Sequence, residues 1–133
     1  MHSTHTLTGL LALGILVAGL LMTGCVSSPA PYDGGSNGKT VTLAPYSTVT
    51  IRLKENPTTG YSWVVTLPEG LSVVSDVYTP DAVPTDIVGS GGAHTWKLQP
   101  SQFGTYTFRA IHMQPWMNVT GSEETYTLTL VVQ

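Results

Sequence analysis

From Lys39 to Gln133 apolar and polar residues alternate with a period of two, and nowhere in that stretch does the 3.6-residue period of an amphipathic helix compete. A chain patterned this way is confined to strands with one buried and one solvated face. Val41 and Leu43 share a face, and in the next segment Val49, Ile51 and Leu53 oppose Thr48, Thr50, Arg52 and Lys54. The turn-forming run Ala44-Pro45-Tyr46-Ser47 predicts a hairpin between these two. Tyr61, Trp63, Val65 and Leu67 give a third inner face, and Leu71, Val73 and Val77 a fourth, separated by Pro68 and Gly70. His94, Trp96 and Leu98 supply the fifth, Tyr106, Phe108 and Ala110 the sixth, and Tyr126, Leu128, Leu130 and Val132 the seventh. Seven short strands between residues 39 and 133 predict an all-β, immunoglobulin-like β-sandwich.

Such a sandwich must hold by packing alone. The single cysteine, Cys25, precedes the alternating region, so that region contains neither a disulfide nor a thiolate metal site. A domain of this size buries only about 60–65% of its extended-chain surface, which places Trp63 and Trp96 in the core for their area. Charged residues make up 10% of the chain and the net charge is −3. The five Lys and Arg are scattered singly, which excludes the basic footprint of a nucleic-acid binder.

The first 38 residues have a different character. Leu10 to Met22 is an unbroken apolar run, too short for the ~20 residues of a membrane span but suited to the apolar region of an export signal. Leu21-Met22-Thr23-Gly24-Cys25 comes directly after, and it resembles the lipobox at which prokaryotic lipoproteins are cleaved and acylated. The resemblance implies a signal peptide over 1–24, a lipid anchor on Cys25 and a place in the cell envelope; an ordinary secretory signal or an uncleaved anchor remains the alternative. Val26 to Gly38 is rich in Ser, Pro and Gly, so residues 25–38 read as the lipidated cysteine and a flexible tether, and 39–133 as the folded domain.

Three segments exceed what strand connection requires, and function is sought there. The first is Asn56-Pro57-Thr58-Thr59-Gly60-Tyr61. Pro57 fixes its own φ and extends Asn56, Gly60 can take a positive φ, and Thr58 and Thr59 offer two hydroxyls at the tip. Such a run is also an acceptable hairpin turn. The second, Thr79 to Ala93, contains Gly89-Ser90-Gly91-Gly92, which suits close backbone approach to another surface or a floppy crossover. The third is Gln114-Pro115-Trp116, whose tryptophan lies off the strand alternation and is either a surface anchor or a lid on the sandwich.

In this order on a sandwich, the three segments resemble the chagasin family of cysteine peptidase inhibitors over about Val41 to Val132. The run from Asn56 through Tyr61 to Trp63 carries most of the likeness, with the glycine-rich and Pro-Trp segments in support. The resemblance implies a reversible, competitive inhibitor that plugs the cleft of papain-like cysteine peptidases. Pro57, Thr58, Thr59 and Gly60 would form a central wedge, Gly89, Ser90, Gly91 and Gly92 one flank, and Gln114, Pro115 and Trp116 the other. Gln114 stands where the family usually carries Arg, so a charge-assisted contact is absent.

No cofactor, metal or catalytic role is expected. His94 and His112 fall on or near inner strand positions and read as packed or rim residues, and Asp76, Asp81 and Asp86 as solvated. The rival reading is a non-inhibitory, immunoglobulin-like surface module, which the fold alone would support equally. The expected partners are a papain-like cysteine peptidase and, through Cys25, a membrane; the domain is expected to be a monomer. Asn118-Val119-Thr120 is a formal N-glycosylation acceptor.

Overall fold

A computed structural model describes residues 29–133. The export signal, Cys25 and its lipidation, and Val26 to Ser28 lie outside the described residues. The described chain forms seven strands: β1 (Lys39–Leu43), β2 (Val49–Glu55), β3 (Ser62–Thr66), β4 (Leu71–Pro80), β5 (Gly92–Pro100), β6 (Gly104–Met113) and β7 (Glu124–Val132). They make up a four-stranded sheet in the order β1-β7-β6-β3 and a three-stranded sheet in the order β2-β5-β4. The fold is the predicted immunoglobulin-like sandwich.

Apart from β4 and from Tyr61, which precedes β3 and is exposed, the inner faces are those that the alternation marks. Ile51, Leu98, Phe108, Leu128 and Leu130 are fully buried, so the two sheets interdigitate through aliphatic side chains. An aromatic column crosses the core: His94 lies flat on Trp96 at 4.2 Å, Trp96 meets Phe108 at 5.6 Å, and Phe108 meets Tyr126 edge-on at 6.1 Å. Of the two tryptophans expected inside, Trp96 is the core residue at 2% exposure. Trp63, on the edge strand β3, is half-buried and donates its indole N–H to the Lys54 carbonyl at 2.8 Å.

Three local expectations need correction. β1 and β2 do not form a hairpin, because β1 runs parallel to β7 in one sheet and β2 antiparallel to β5 in the other. Ala44 to Ser47 does turn, with Ser47 N–H on the Ala44 carbonyl, but the turn carries the chain between sheets; alternation cannot separate these two uses of a tight turn. The second correction concerns β4, the outer strand of its sheet, whose register against β5 slips between Val73 and Ser75. A bulge inverts the parity of the residues beyond it. Val77 then pairs with Thr95 on the outside, whereas Asp76 pairs with Trp96 and Tyr78 with His94, so Val77 is about half exposed instead of packed inside; Val73, before the bulge, pairs with the buried Leu98 yet is also about half exposed on this edge strand.

The third is the tether. Tyr32 exchanges backbone hydrogen bonds with β2, its N–H on the Thr50 carbonyl and its carbonyl receiving the Arg52 N–H, both at 2.8 Å. A 3-10 turn over Gly34–Ser36, capped by the Asp33 carboxylate, then leads to Asn37, whose side chain bonds Thr125 and Thr127 of β7. Contacts with the two sheets therefore extend N-terminally of Lys39 as far as Tyr32. Proline, glycine and serine suggested slack, but Asp33 and Asn37 supply the hydrogen bonds that fix it.

Candidate inhibitory loops

The connections β2–β3, β4–β5 and β6–β7 emerge at one end of the sandwich, a consequence of the antiparallel pairing of β5 with β2 and β4 and of β6 with β3 and β7. The first loop is a short 3-10 turn over Pro57–Thr59. Proline opens it at a position where no N–H is needed, Asn56 caps it, and Gly60 closes it at φ 81°. Asn56 is the hub. Its Oδ1 accepts from the Thr58 N–H at 3.2 Å and the Thr58 hydroxyl at 2.6 Å, and its carbonyl accepts from the Thr59 hydroxyl at 2.7 Å. The two threonine hydroxyls are thus turned inward, where they donate within the loop, instead of standing free at the tip. Pro57, Thr58 and Thr59 remain exposed, a stiff projecting edge.

Both neighbours lean on this loop. Asn56 Nδ2 donates to the Gly89 carbonyl of the second loop at 2.9 Å, and a Cβ at Gly91 would stand 3.1 Å from the Glu55 carbonyl. On the other side, a Cβ at Gly60 would fall 2.8 Å from the Trp116 ring and 3.4 Å from Gln114 Nε2. The third loop turns at Gln114, whose carbonyl accepts the Met117 N–H, and it leaves Trp116 70% exposed. The order across the end is therefore second loop, first loop, third loop, with the first in the middle. Tyr61 is partly exposed beside it, its ring 5.6 Å from His112.

Not every glycine of the second loop reaches this surface. Gly92 is buried, and a Cβ there would strike the Thr79 carbonyl at 2.3 Å, so its smallness serves the close approach of β5 to β4. Gly89, Ser90 and Gly91 remain at the loop, with Gly89 at φ 76°. An open cleft of about 620 Å³ lies beside the loops, lined among others by Arg52, Lys54, Asp33 and Glu124. Its rim mixes both charges, and the projecting loops form the more distinctive feature.

Sequence reading missed a polar cluster beneath the first two loops. Glu55, 5% exposed, reaches His94 Nδ1 at 2.6 Å, and Asp76 contacts His94 Nε2. The signal was Glu55 itself, a carboxylate at the inward parity of Val49, Ile51 and Leu53. Asp76, expected to be solvated, is brought to His94 by the bulge in β4.

The family comparison accords with this geometry. Residues 42–130 match the model of the chagasin family peptidase inhibitors, I42. The chain belongs to that family. Amoebiasin-1 of Entamoeba histolytica is 37% identical over 98 residues, covering 74% of this chain and 94% of that protein. Chagasin of Trypanosoma cruzi is 29% identical over 100 residues, covering 71% and 89%. The crystal structure of the cysteine protease inhibitor EhICP2 of Entamoeba histolytica superposes with a TM-score of 0.68 at 25% identity, covering 77% of this chain and 93% of that one. In this chagasin-family chain, the matched region spans all three loops.

The loop geometry sets two expectations. Asn56→Ala removes the cap and the tie to Gly89; it is expected to cost about 1 kcal/mol of stability and to weaken inhibition about tenfold, whereas Asn56→Asp keeps the Oδ1 acceptor and falls between. Inhibition constants beside denaturant midpoints check this, and an unaltered inhibition constant for Asn56→Ala would remove the cap from the account. The second concerns Glu123, which closes the turn after the third loop. The Thr120 N–H and hydroxyl, both at 2.7 Å, together with the Gly121 N–H hold its carboxyl down at about 2, against an ordinary 4.5. A depressed carboxylate stabilises above its unfolded value and loses that contribution as pH falls through its folded one. The amide resonances of Thr120 and Gly121 should hold their native shifts down to about pH 3 and change near 2; a change near 4.5 would show the turn open.

Proposed function

We propose that this chain is a reversible, competitive inhibitor of papain-like cysteine peptidases and that the first loop enters their active-site cleft as a wedge, flanked by the other two. Membership of the chagasin family makes it a peptidase inhibitor and not an enzyme, and the similar EhICP2 is a cysteine protease inhibitor. The observation that carries the reading is the mutual bracing of the three loops through Asn56–Gly89 and Gly60–Trp116. Bracing removes loop entropy before binding, which favours affinity without new contacts.

The inhibition is steric. Pro57, Thr58, Thr59 and Gly60 cover the peptidase's nucleophile, and a 3-10 turn offers it no extended scissile bond, so no covalent step occurs. Gly89, Ser90 and Gly91 flank one side through backbone, while Gln114, Pro115, Trp116 and Tyr61 flank the other, with Trp116 as the aromatic anchor. Such an interface buries about 800 Å² per partner. We extend the reading to the N-terminus: an export signal over 1–24 and an acylated Cys25 would hold the inhibitor at the cell envelope, with residues 26–31 as the remaining tether. Titration of a panel of peptidases tests the function. Nanomolar-range inhibition of at least one papain-like enzyme is expected, with serine and metallopeptidases unaffected; no inhibition across the papain-like panel would favour a surface module instead.

A further inference from the structure

The open cleft of about 620 Å³ beside the loops is bordered by two side chains whose polar atoms the fold does not serve. Tyr126 is 2% exposed, and its hydroxyl, like Nε2 of His112, is buried with no hydrogen bond to any described residue. Both side chains line the cleft. A buried polar group without a partner is destabilising, and the great majority in folded proteins have one. Packing does not call for the hydroxyl: Tyr126 meets Phe108 edge-on at 6.1 Å, a contact that phenylalanine would make equally well. His112 is likewise held by its ring, 4.9 Å from that of Trp63.

The rest of the lining decides what the cleft can accept. Asp33, Glu55, Asp81 and Glu124 bring carboxylates, which only accept hydrogen bonds, and Arg52 and Lys54 bring cations, which only donate. Burial, and to a smaller degree the Asp33 charge, raises the Tyr126 hydroxyl to about 12 from an ordinary 10.0, so it stays protonated at neutral pH and can do both. A strong anion would meet the carboxylates, and a strong cation would meet Arg52 and Lys54. An extended peptide would need a free strand edge. On β2 that edge is already in use, the Thr50 carbonyl and Arg52 N–H by Tyr32 and the Lys54 carbonyl by the Trp63 indole.

We propose that this cleft binds a neutral mono- or disaccharide, whose hydroxyls reach the Tyr126 hydroxyl and His112 Nε2. A sugar hydroxyl donates and accepts, so one ligand can serve accept-only carboxylates, the donate-only Arg52 and the two orphaned atoms together. Trp63 lines the same cleft, and the electron-rich face of its ring suits the C–H face of a sugar. The volume is in the range of small-ligand sites, about 300–1,000 Å³. Thr58, Thr59 and Trp116 take no part in the lining, so the site stands or falls separately from inhibition.

Tyr126→Phe tests it, because it deletes one oxygen and keeps the packing. Glucose, maltose and N,N′-diacetylchitobiose are titrated into the full chain and into this variant, and the resonances of the Trp63 indole and of the Gly34 and Gly35 amides, which border the cleft, are followed. At least one sugar is expected to shift them saturably with a Kd of about 1 mM or tighter, and to bind Tyr126→Phe about tenfold more weakly. The denaturant midpoint of the free variant should not fall, since the hydroxyl has no protein partner to lose. The same sugars coupled to serum albumin separate two sources: binding of the free form points to a soluble sugar and binding of the carried form alone to a glycan on a partner, and either supports the site. A lowered midpoint for Tyr126→Phe would show that the hydroxyl serves the fold and would overturn the proposal. So would no shift with any of these probes, equal binding by the variant, or saturation by end-blocked tetra-alanine in place of the sugars.

Discussion

Trp96→Ala is expected to lose about 3–5 kcal/mol of folding stability, which is comparable to the whole stability of a small domain. Trp96 is 2% exposed and sits in the aromatic column between His94 and Phe108. Truncation removes that contact area and leaves a cavity that two facing sheets cannot close without breaking their ladders. The His94 ring would also lose the surface on which it lies, so the Glu55–His94–Asp76 cluster should loosen with the core. Denaturant midpoints and near-ultraviolet dichroism measure the effect; a loss below about 1 kcal/mol would show that the core is not organised around this column.

Trp116→Ala should act in the opposite way. Its side chain is 70% exposed and lies over Gly60, where even one methyl group would collide with it. Folding stability should change by no more than about 0.5 kcal/mol, while binding to a papain-like peptidase should lose about 2 kcal/mol or more, roughly thirtyfold in the inhibition constant. The indole fluorescence should be quenched by solutes in the free protein and protected in the complex, once the background of Trp63 and Trp96 is subtracted with the Trp116→Ala protein. If Trp116→Ala lowers the midpoint as far as Trp96→Ala while the folded fraction inhibits normally, the third loop is a lid and the inhibitory edge reduces to its two neighbours.

The contrast between these tryptophans arises from how the sequence encodes the fold. Trp96 lies in a run of strict alternation, His94, Trp96, Leu98, and its burial is readable because a strand's faces are fixed by parity. Trp116 breaks the alternation beside Pro115, which sets it off the strands but leaves open whether it stands free or covers the sandwich; its 70% exposure is known only from the fold. What parity cannot convey is a change of register or of sheet. The bulge between Val73 and Ser75 reverses the faces of β4, which exposes Val77 and brings Asp76 to His94, a pairing between residues 18 apart that no local pattern announces. β1 and β2 likewise look like a hairpin until β1 is seen beside β7.

The loops show the same division. Asn56-Pro57-Thr58-Thr59-Gly60 is legible as a stiff turn, since Asn caps, Pro opens and Gly closes a tight turn. That the threonine hydroxyls point inward to Asn56, that Asn56 also reaches Gly89, and that Gly92 is a packing residue depend on where the second loop returns. Residues 32–37 are packed where their composition suggests slack, because Tyr32, Asp33 and Asn37 are informative only once β2 and β7 are there to receive them.

Braced loops that occupy the peptidase cleft must compete with substrate for it. The most direct measurement is the apparent inhibition constant of the full chain on a papain-like peptidase as substrate concentration is raised through its KM, with the inhibitor recovered afterwards and its mass determined. Occlusion of the cleft predicts a linear rise in the apparent constant, an unchanged maximal rate and an inhibitor of intact mass. An apparent constant independent of substrate, or recovery of a chain cut between Asn56 and Tyr61, would contradict it.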